Sequence, residues 1–142
     1  MTDQPVHATT VARFRPGSGW VGVMLTGPSG AGKSDLALRL ISRGWRLVAD
    51  DYTRVFASGG QLYGTAPTTI AGRIEARGVG IEDQPTLAQA RLGLVVTLTA
   101  DAVERLPEAD FQTLRGIDLP RVRLRGFEAS AVEKVTVLSR RL

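Results

Sequence analysis

The stretch GPSGAGKS, Gly27 to Ser34, sits between the apolar run WVGVMLT and the segment DLALRLISRG. Gly27, Gly32, Lys33 and Ser34 fit the spacing G-x-x-x-x-G-K-S, with Gly30 as an additional glycine. Glycines let the backbone curl so that successive N–H groups converge on phosphate oxygens, and the start of a helix adds the positive end of its dipole. The whole loop, Gly27, Pro28, Ser29, Gly30, Ala31, Gly32, Lys33 and Ser34, therefore reads as a cradle for a nucleotide or polyphosphate. Lys33 brings a full charge to the β- and γ-phosphates, and the Ser34 hydroxyl is a ligand for Mg²⁺. Only Lys33 and Lys134 are lysines in a chain whose other cations are arginines, which makes Lys33 more telling than the charge total.

Two acids follow close behind. LVADD is an apolar strand pattern ending in Asp50 and Asp51, with Asp50 only 16 residues beyond Ser34. Adjacent residues of an extended strand point to opposite faces, but a turn at the strand end brings both toward the phosphates. One then holds Mg²⁺ and the other accepts the proton of an attacking hydroxyl. The alternative is a solvated pair of turn acids. Glu75 and Arg77, two apart, share a strand face. They read either as a Mg²⁺ contact beside a phosphoryl-binding arginine or as a surface ion pair.

Net charge is +4 in 142 residues, with no cysteine. The length suits one compact domain, and the lack of cysteine suits a reducing cytoplasm. No apolar run approaches a membrane span, so neither a membrane nor a signal segment is expected. An arginine excess attracts phosphate, nucleic acid or acidic protein, or it reflects GC-rich coding. The arginines are dispersed and lack an interleaved aromatic series, which argues against a nucleic-acid partner.

These groups need elements to position them. Residues 6–14 and 20–26 read as strands joined through RPGSG. Residues 33–43 read as a helix by the i,i+4 pairs Leu36–Leu40 and Ala37–Ile41, stopped at Gly44. Residues 45–51 form a short strand, YTRVFA-SGG-QLYGTA a hairpin, and 72–81 a strand flanked by glycines. LGLVVTLTA, 92–100, is the core strand. IDLPRVRLR alternates basic and apolar residues through Arg121, Arg123 and Arg125, a docking strip or a solvated edge, and 127–142 closes as a helix. The fold class is α/β: a mixed, strand-rich sheet with few helices around one phosphate loop. The N-K-x-D and D-x-x-G motifs of GTPases are absent.

GVMLTGPSGAGKSDLALRLISRGWRLVADD, together with VHATTV and IEARGVGIED, resembles the catalytic domain of the HPr kinase/phosphorylase family, in the HPr kinase/PEP carboxykinase-like fold group. The resemblance implies an ATP- and Mg²⁺-dependent serine kinase acting on the phosphocarrier HPr or an HPr-like protein. Pyrophosphate is an alternative donor, phosphorolysis of the phosphoserine a second activity, and the assembly a homo-oligomer, a hexamer in the family. It assigns Asp51 as general base with Asp50 beside it, Glu75 to Mg²⁺, Arg77 to catalysis, His7 to the phosphate pocket and Arg105 to phosphorolysis. The strand of the site begins within ten residues of Met1, and Ala76 and Val79 stand where the family signature has Ile and Leu. A truncated single-domain form spanning 1–142 is expected. The rivals are a nucleotide-sensing module without turnover, which has no need of Asp51, and a small-molecule kinase, for which no lid is recognisable.

Overall fold

A computed structural model describes residues 4–67, 71–76 and 78–142. The elements are β1 (Thr9–Arg15), β2 (Gly19–Thr26), α1 (Lys33–Ile41), β3 (Arg46–Ala49), β4 (Arg54–Ser58), β5 (Gln61–Thr65), β6 (Arg73–Ala76), β7 (Gly80–Asp83), β8 (Gln89–Thr99), β9 (Phe111–Leu114), β10 (Ile117–Arg125) and α2 (Ala131–Ser139). One eight-stranded sheet runs in the order β3-β1-β2-β8-β10-β9, and the β4–β5 hairpin joins it where β5 pairs with the start of β8. β6 and β7 make a separate two-stranded ribbon.

Strand direction decides where the chemistry can gather. β2, β8 and β10 are parallel neighbours, so their C-terminal ends at Thr26, Thr99 and Arg125 share one edge of the sheet. β3 is antiparallel to β1, and β1 is antiparallel to β2. Asp50, just past the end of β3, and Thr9, at the start of β1, therefore arrive at that same edge. Ligands of open α/β sheets bind outside the carboxyl ends of the strands, and Lys33, Ser34, Asp50, Asp51 and His7 gather there.

The sheet is buried on both faces. Val23 and Leu25 of β2 pack with Leu36, Ala37 and Leu40 of α1 and with Ala131, Val132 and Val135 of α2. Each fully buried leucine contributes about 1.5–3 kcal/mol. Met24 points the other way, against Val55, Leu62 and Leu119. β8 switches faces by a bulge. Gly22 pairs with Leu92 and Val23 with Leu94, leaving Gly93 as the extra residue. Leu92 consequently packs with Met24, whereas Leu94 faces the helices.

Several elements differ from the reading of the sequence. Residues 72–81 are not one strand but the β6–β7 hairpin, closed by the Val79 N–H donating to the Ala76 carbonyl at 3.0 Å. β9 was not foreseen. Its turn into β10 uses Arg115 and Gly116 at φ 50° and 79°, the consecutive positive φ of a tight hairpin, but with arginine in the place where asparagine is the usual signal. The closing helix spans only Ala131–Ser139, because Gly126–Ser130 forms a turn against the phosphate loop. Within α2 the β-branched Val135 and Thr136 are accommodated by burial of Val135 and by the Thr136 hydroxyl donating to the Val132 carbonyl at 2.8 Å. Packing overrides propensity there.

Candidate phosphate-binding and catalytic site

The loop leaves β2 at Gly27, whose φ of 134° suits glycine alone, and a Cβ there would lie 2.6 Å from the Leu98 carbonyl oxygen. It enters α1 through Gly32, at φ 99° and with no side-chain cap. The first-turn N–H groups of a helix lack intrahelical partners, so an uncapped start inside a glycine-rich loop leaves donors for an anion. Lys33 is buried, and its Nζ donates to the carbonyls of Gly27 and Pro28 at 2.8 and 3.1 Å. The cation is thus held over the loop by the loop's own backbone.

Asp50 is buried and collects three donors. The hydroxyls of Ser34 and Thr9 donate to its Oδ1 at 2.7 and 2.8 Å, and the Glu75 N–H donates to Oδ2 at 3.2 Å. The short path through α1 brings the strand-end acid straight to the loop serine. Asp51 differs in every respect. It is exposed and sits at φ 67°, at the centre of a three-residue turn closed by the Tyr52 N–H donating to the Asp50 carbonyl at 2.7 Å. Such a turn on a non-glycine residue is strained by roughly 1–3 kcal/mol and is tolerated chiefly at functional sites. The turn lets two consecutive acids serve one site.

His7 stands beside Asp51, its Nε2 2.8 Å from Oδ1, so that a ring N–H there donates to the carboxylate. The Tyr52 ring lies 5.2 Å away, centroid to centroid. Thr9 connects the acids: its hydroxyl donates to Asp50 and accepts the Asp51 N–H at 3.1 Å. The sequence reading passed over Thr9. β1 reads TTVARFR, with two adjacent threonines and two arginines, so nothing in its sequence marked Thr9 out.

Of the residues singled out from sequence, Lys33, Ser34, Asp50, Asp51 and His7 come together with the backbone of Glu75. The Glu75 side chain is exposed. Arg77 lies outside the described residues. Arg105 is exposed in the irregular segment between β8 and β9. The arginine strip contracts, because Arg121 Nε lies 3.6 Å from Asp110 Oδ2 and is mostly covered, leaving Arg123 and Arg125 exposed. Among the described residues no group of three His, Cys, Asp or Glu is arranged to hold a metal. Ser34 and Asp50 nevertheless fit Mg²⁺, which takes one or two protein oxygens and completes its shell with water and substrate phosphates.

A glycine-rich loop between a parallel strand and a helix, facing a buried strand-end aspartate, defines a phosphate-binding-loop domain. Within that class the chain belongs to the family of the HPr Serine kinase C-terminal domain, whose model matches residues 18–133. An HPr kinase/phosphorylase of Limosilactobacillus reuteri is 43% identical over 115 residues, which cover 72% of this chain and 36% of that protein. Another, from Clostridium novyi, is 51% identical over 67 residues, covering 47% of this chain and 22% of its own length. The chain thus spans about a third or less of these relatives. The solved structure of the Hpr(Ser) kinase/phosphatase from Coxiella burnetii superposes with a TM-score of 0.81 at 26% identity, covering 97% of this chain and 89% of that one. The mixed, strand-rich α/β fold read from the sequence is the fold of this family.

Proposed function

We propose that this chain is an ATP-dependent serine kinase that phosphorylates HPr or an HPr-like phosphocarrier protein. One observation carries the reading: Thr9 ties the buried Asp50, which holds Ser34 of the phosphate loop, to an exposed, strained Asp51 backed by His7. A loop that only sensed a nucleotide would have no use for a second, solvent-facing carboxylate held at positive φ.

The roles follow from the chemistry. The amides of the loop and the Lys33 ammonium bind the phosphates and stabilise the charge that builds up during transfer. Ser34 and Asp50 would hold Mg²⁺, with Glu75 beside them, and the bound ion would supply positive charge to the phosphates. Asp51 accepts the proton of the acceptor serine as its oxygen attacks, and His7 orients the Asp51 carboxylate. The family resemblance adds Arg77, two residues after Glu75 in the sequence, to the catalytic set. With pyrophosphate as donor the same loop serves. In the reverse sense inorganic phosphate attacks the phosphoserine, giving serine and pyrophosphate, with Asp51 returning the proton. The family resemblance further suggests a homo-oligomer.

The test is direct. The chain is incubated with ATP, Mg²⁺ and the HPr proteins of its own genome, and phosphoserine is located by mass spectrometry. Asp51→Asn should bind ATP as wild type does while transfer falls by about 10²–10⁴, the usual range for loss of a general base. Wild-type transfer by that variant would remove Asp51 from the role. No labelling of any HPr, with ATP binding intact, would leave a sensing module instead.

A further inference from the structure

The acids occupy one side of the phosphate loop, toward β1 and β3; on the other side, toward β8 and β10, lies a shallow cavity of about 260 Å³ lined by Thr99, Ala100, Arg125, Phe127 and Glu128. We infer that this cavity takes the base of the nucleotide and that Phe127 is its stacking platform. The inference rests on the nucleotide reading of the loop and adds where the nucleoside lies.

Phe127 is 66% exposed and is the one aromatic residue lining this cavity. One face of its ring covers Gly32: Cζ, Cε1 and Cε2 lie at nearly equal distances, 3.1–3.4 Å, from where a Cβ there would be. With one face against the loop and the residue 66% exposed, the opposite face stands open, and an aromatic face is what a base stacks on.

The turn that carries the ring is held in place. Gly126 approaches the Ala31 carbonyl so closely that a Cβ would collide with it. The Arg39 guanidinium, reaching across from α1, donates to the carbonyl of Gly126 and to that of Glu128 at 3.4 Å, fastening the turn on both sides of Phe127. Lys134 Nζ anchors the Glu128 carboxylate at 2.7 Å. Such fixing lowers the ordering cost of binding.

Polarity agrees with position. A nucleotide whose terminal phosphate faces Asp50 and Asp51 has its nucleoside end on the opposite side of the loop. The C-terminal ends of β8 and β10 provide the floor there, with the Thr99 hydroxyl, the Arg125 guanidinium and the Glu128 carboxylate as polar groups at the rim. A cavity open to solvent on one side suits a flat, half-covered ring system and favours stacking over readout of one particular base.

The experiment compares ADP with inorganic pyrophosphate, which has the same phosphate chain and no nucleoside, by calorimetry with Mg²⁺ present. Wild type should bind ADP more tightly than pyrophosphate. Phe127→Ala should weaken ADP by about 5- to 50-fold, within the range that base–aromatic stacking supplies, and leave pyrophosphate within twofold. Phe127→Leu keeps bulk against Gly32 but has no aromatic face, and it should behave like the alanine variant. Equal weakening of both ligands would overturn the inference, because Phe127 would then act only by supporting the loop. Wild-type ADP affinity in both variants would overturn it too, as would wild-type protein that binds ADP no better than pyrophosphate, with the phosphate cradle left standing. Binding of neither ligand by wild type would remove the cradle and the base site together.

Discussion

Replacing Thr9 by valine removes one hydroxyl and keeps the side-chain shape. That hydroxyl is fully buried, donates to Asp50 Oδ1 at 2.8 Å and accepts the Asp51 N–H at 3.1 Å. A hydrogen bond to a charged acceptor contributes about 1.5–3 kcal/mol, and an amide left without an acceptor in a part-buried position costs about 1 kcal/mol or more. Asp50 keeps Ser34 and the Glu75 amide, so its carboxylate is not stranded. The sum is about 2.5–4 kcal/mol of lost stability. That is a large fraction of the 5–15 kcal/mol typical of a domain, yet small enough for the variant to fold.

Thr9→Ser is the control. It keeps the oxygen and both bonds but deletes a buried methyl, at about 1 kcal/mol. Urea unfolding should therefore rank wild type, then serine, then valine, with the slope against denaturant unchanged. A second readout separates positioning from simple weakening. Thr9→Val should bind ATP within about threefold of wild type but transfer phosphate more slowly, because the Asp51 turn has lost its tether. The serine variant should restore transfer. If valine and serine unfold at the same urea concentration, the hydroxyl does not hold the acids, and the account of how two adjacent carboxylates share the site fails.

Three further outcomes are expected. Lys33→Ala should abolish thermal stabilisation by ATP, since it removes the one ammonium fixed within the loop, and unchanged stabilisation would mean that phosphates bind elsewhere. Asp51→Ala should be less stable than Asp51→Gly by about 1 kcal/mol in urea unfolding, because only glycine adopts φ 67° without a steric penalty; equal midpoints would show that the turn is not strained. Arg123→Glu should raise KM for the protein substrate and leave KM for ATP alone, with the effect shrinking as salt rises, because exposed charges are screened beyond about 8 Å at physiological ionic strength. Unchanged values of both in low salt would make Arg123 part of a solvated strand face.

The phosphate loop was legible because local chemistry dictates it. Glycines at positive φ, a lysine and a hydroxyl at fixed spacing carry their own reason, and the apolar i,i+4 pattern of α1 adds the helix. Asp50 and Asp51 were legible as a pair, but the division of labour proposed for them depends on a turn that no local rule predicts, since aspartate at positive φ is a cost met by tertiary contacts. Thr9 and Phe127 were hidden for a different reason. Each lies far from the loop in sequence, and only strand order brings them to it: Thr9 through an antiparallel β1, Phe127 through a parallel β10 whose neighbour β9 was itself concealed by an arginine at positive φ.

Strand order also accounts for the motifs that are missing. In an alternating strand–helix chain, the acid facing a phosphate loop comes from a later parallel strand, one or more crossovers away. Here α1 is only nine residues long, and β3 follows it directly to lie beside β1 rather than beside β2. The β1–β2 hairpin makes this possible, because an antiparallel β1 offers its N-terminal end, with His7 and Thr9, at the same edge as the loop. The strand before the loop thus supplies the groups that other arrangements draw from strands after it, and both Asp50 and Asp51 are fastened to that strand rather than to the loop alone. On this topology a shift of β1 by one residue against β2 would turn Thr9 away from Asp50 while leaving the loop intact. The seven-residue register from Thr9–Leu25 to Arg15–Gly19 is therefore as much a part of the proposed catalytic arrangement as the loop itself.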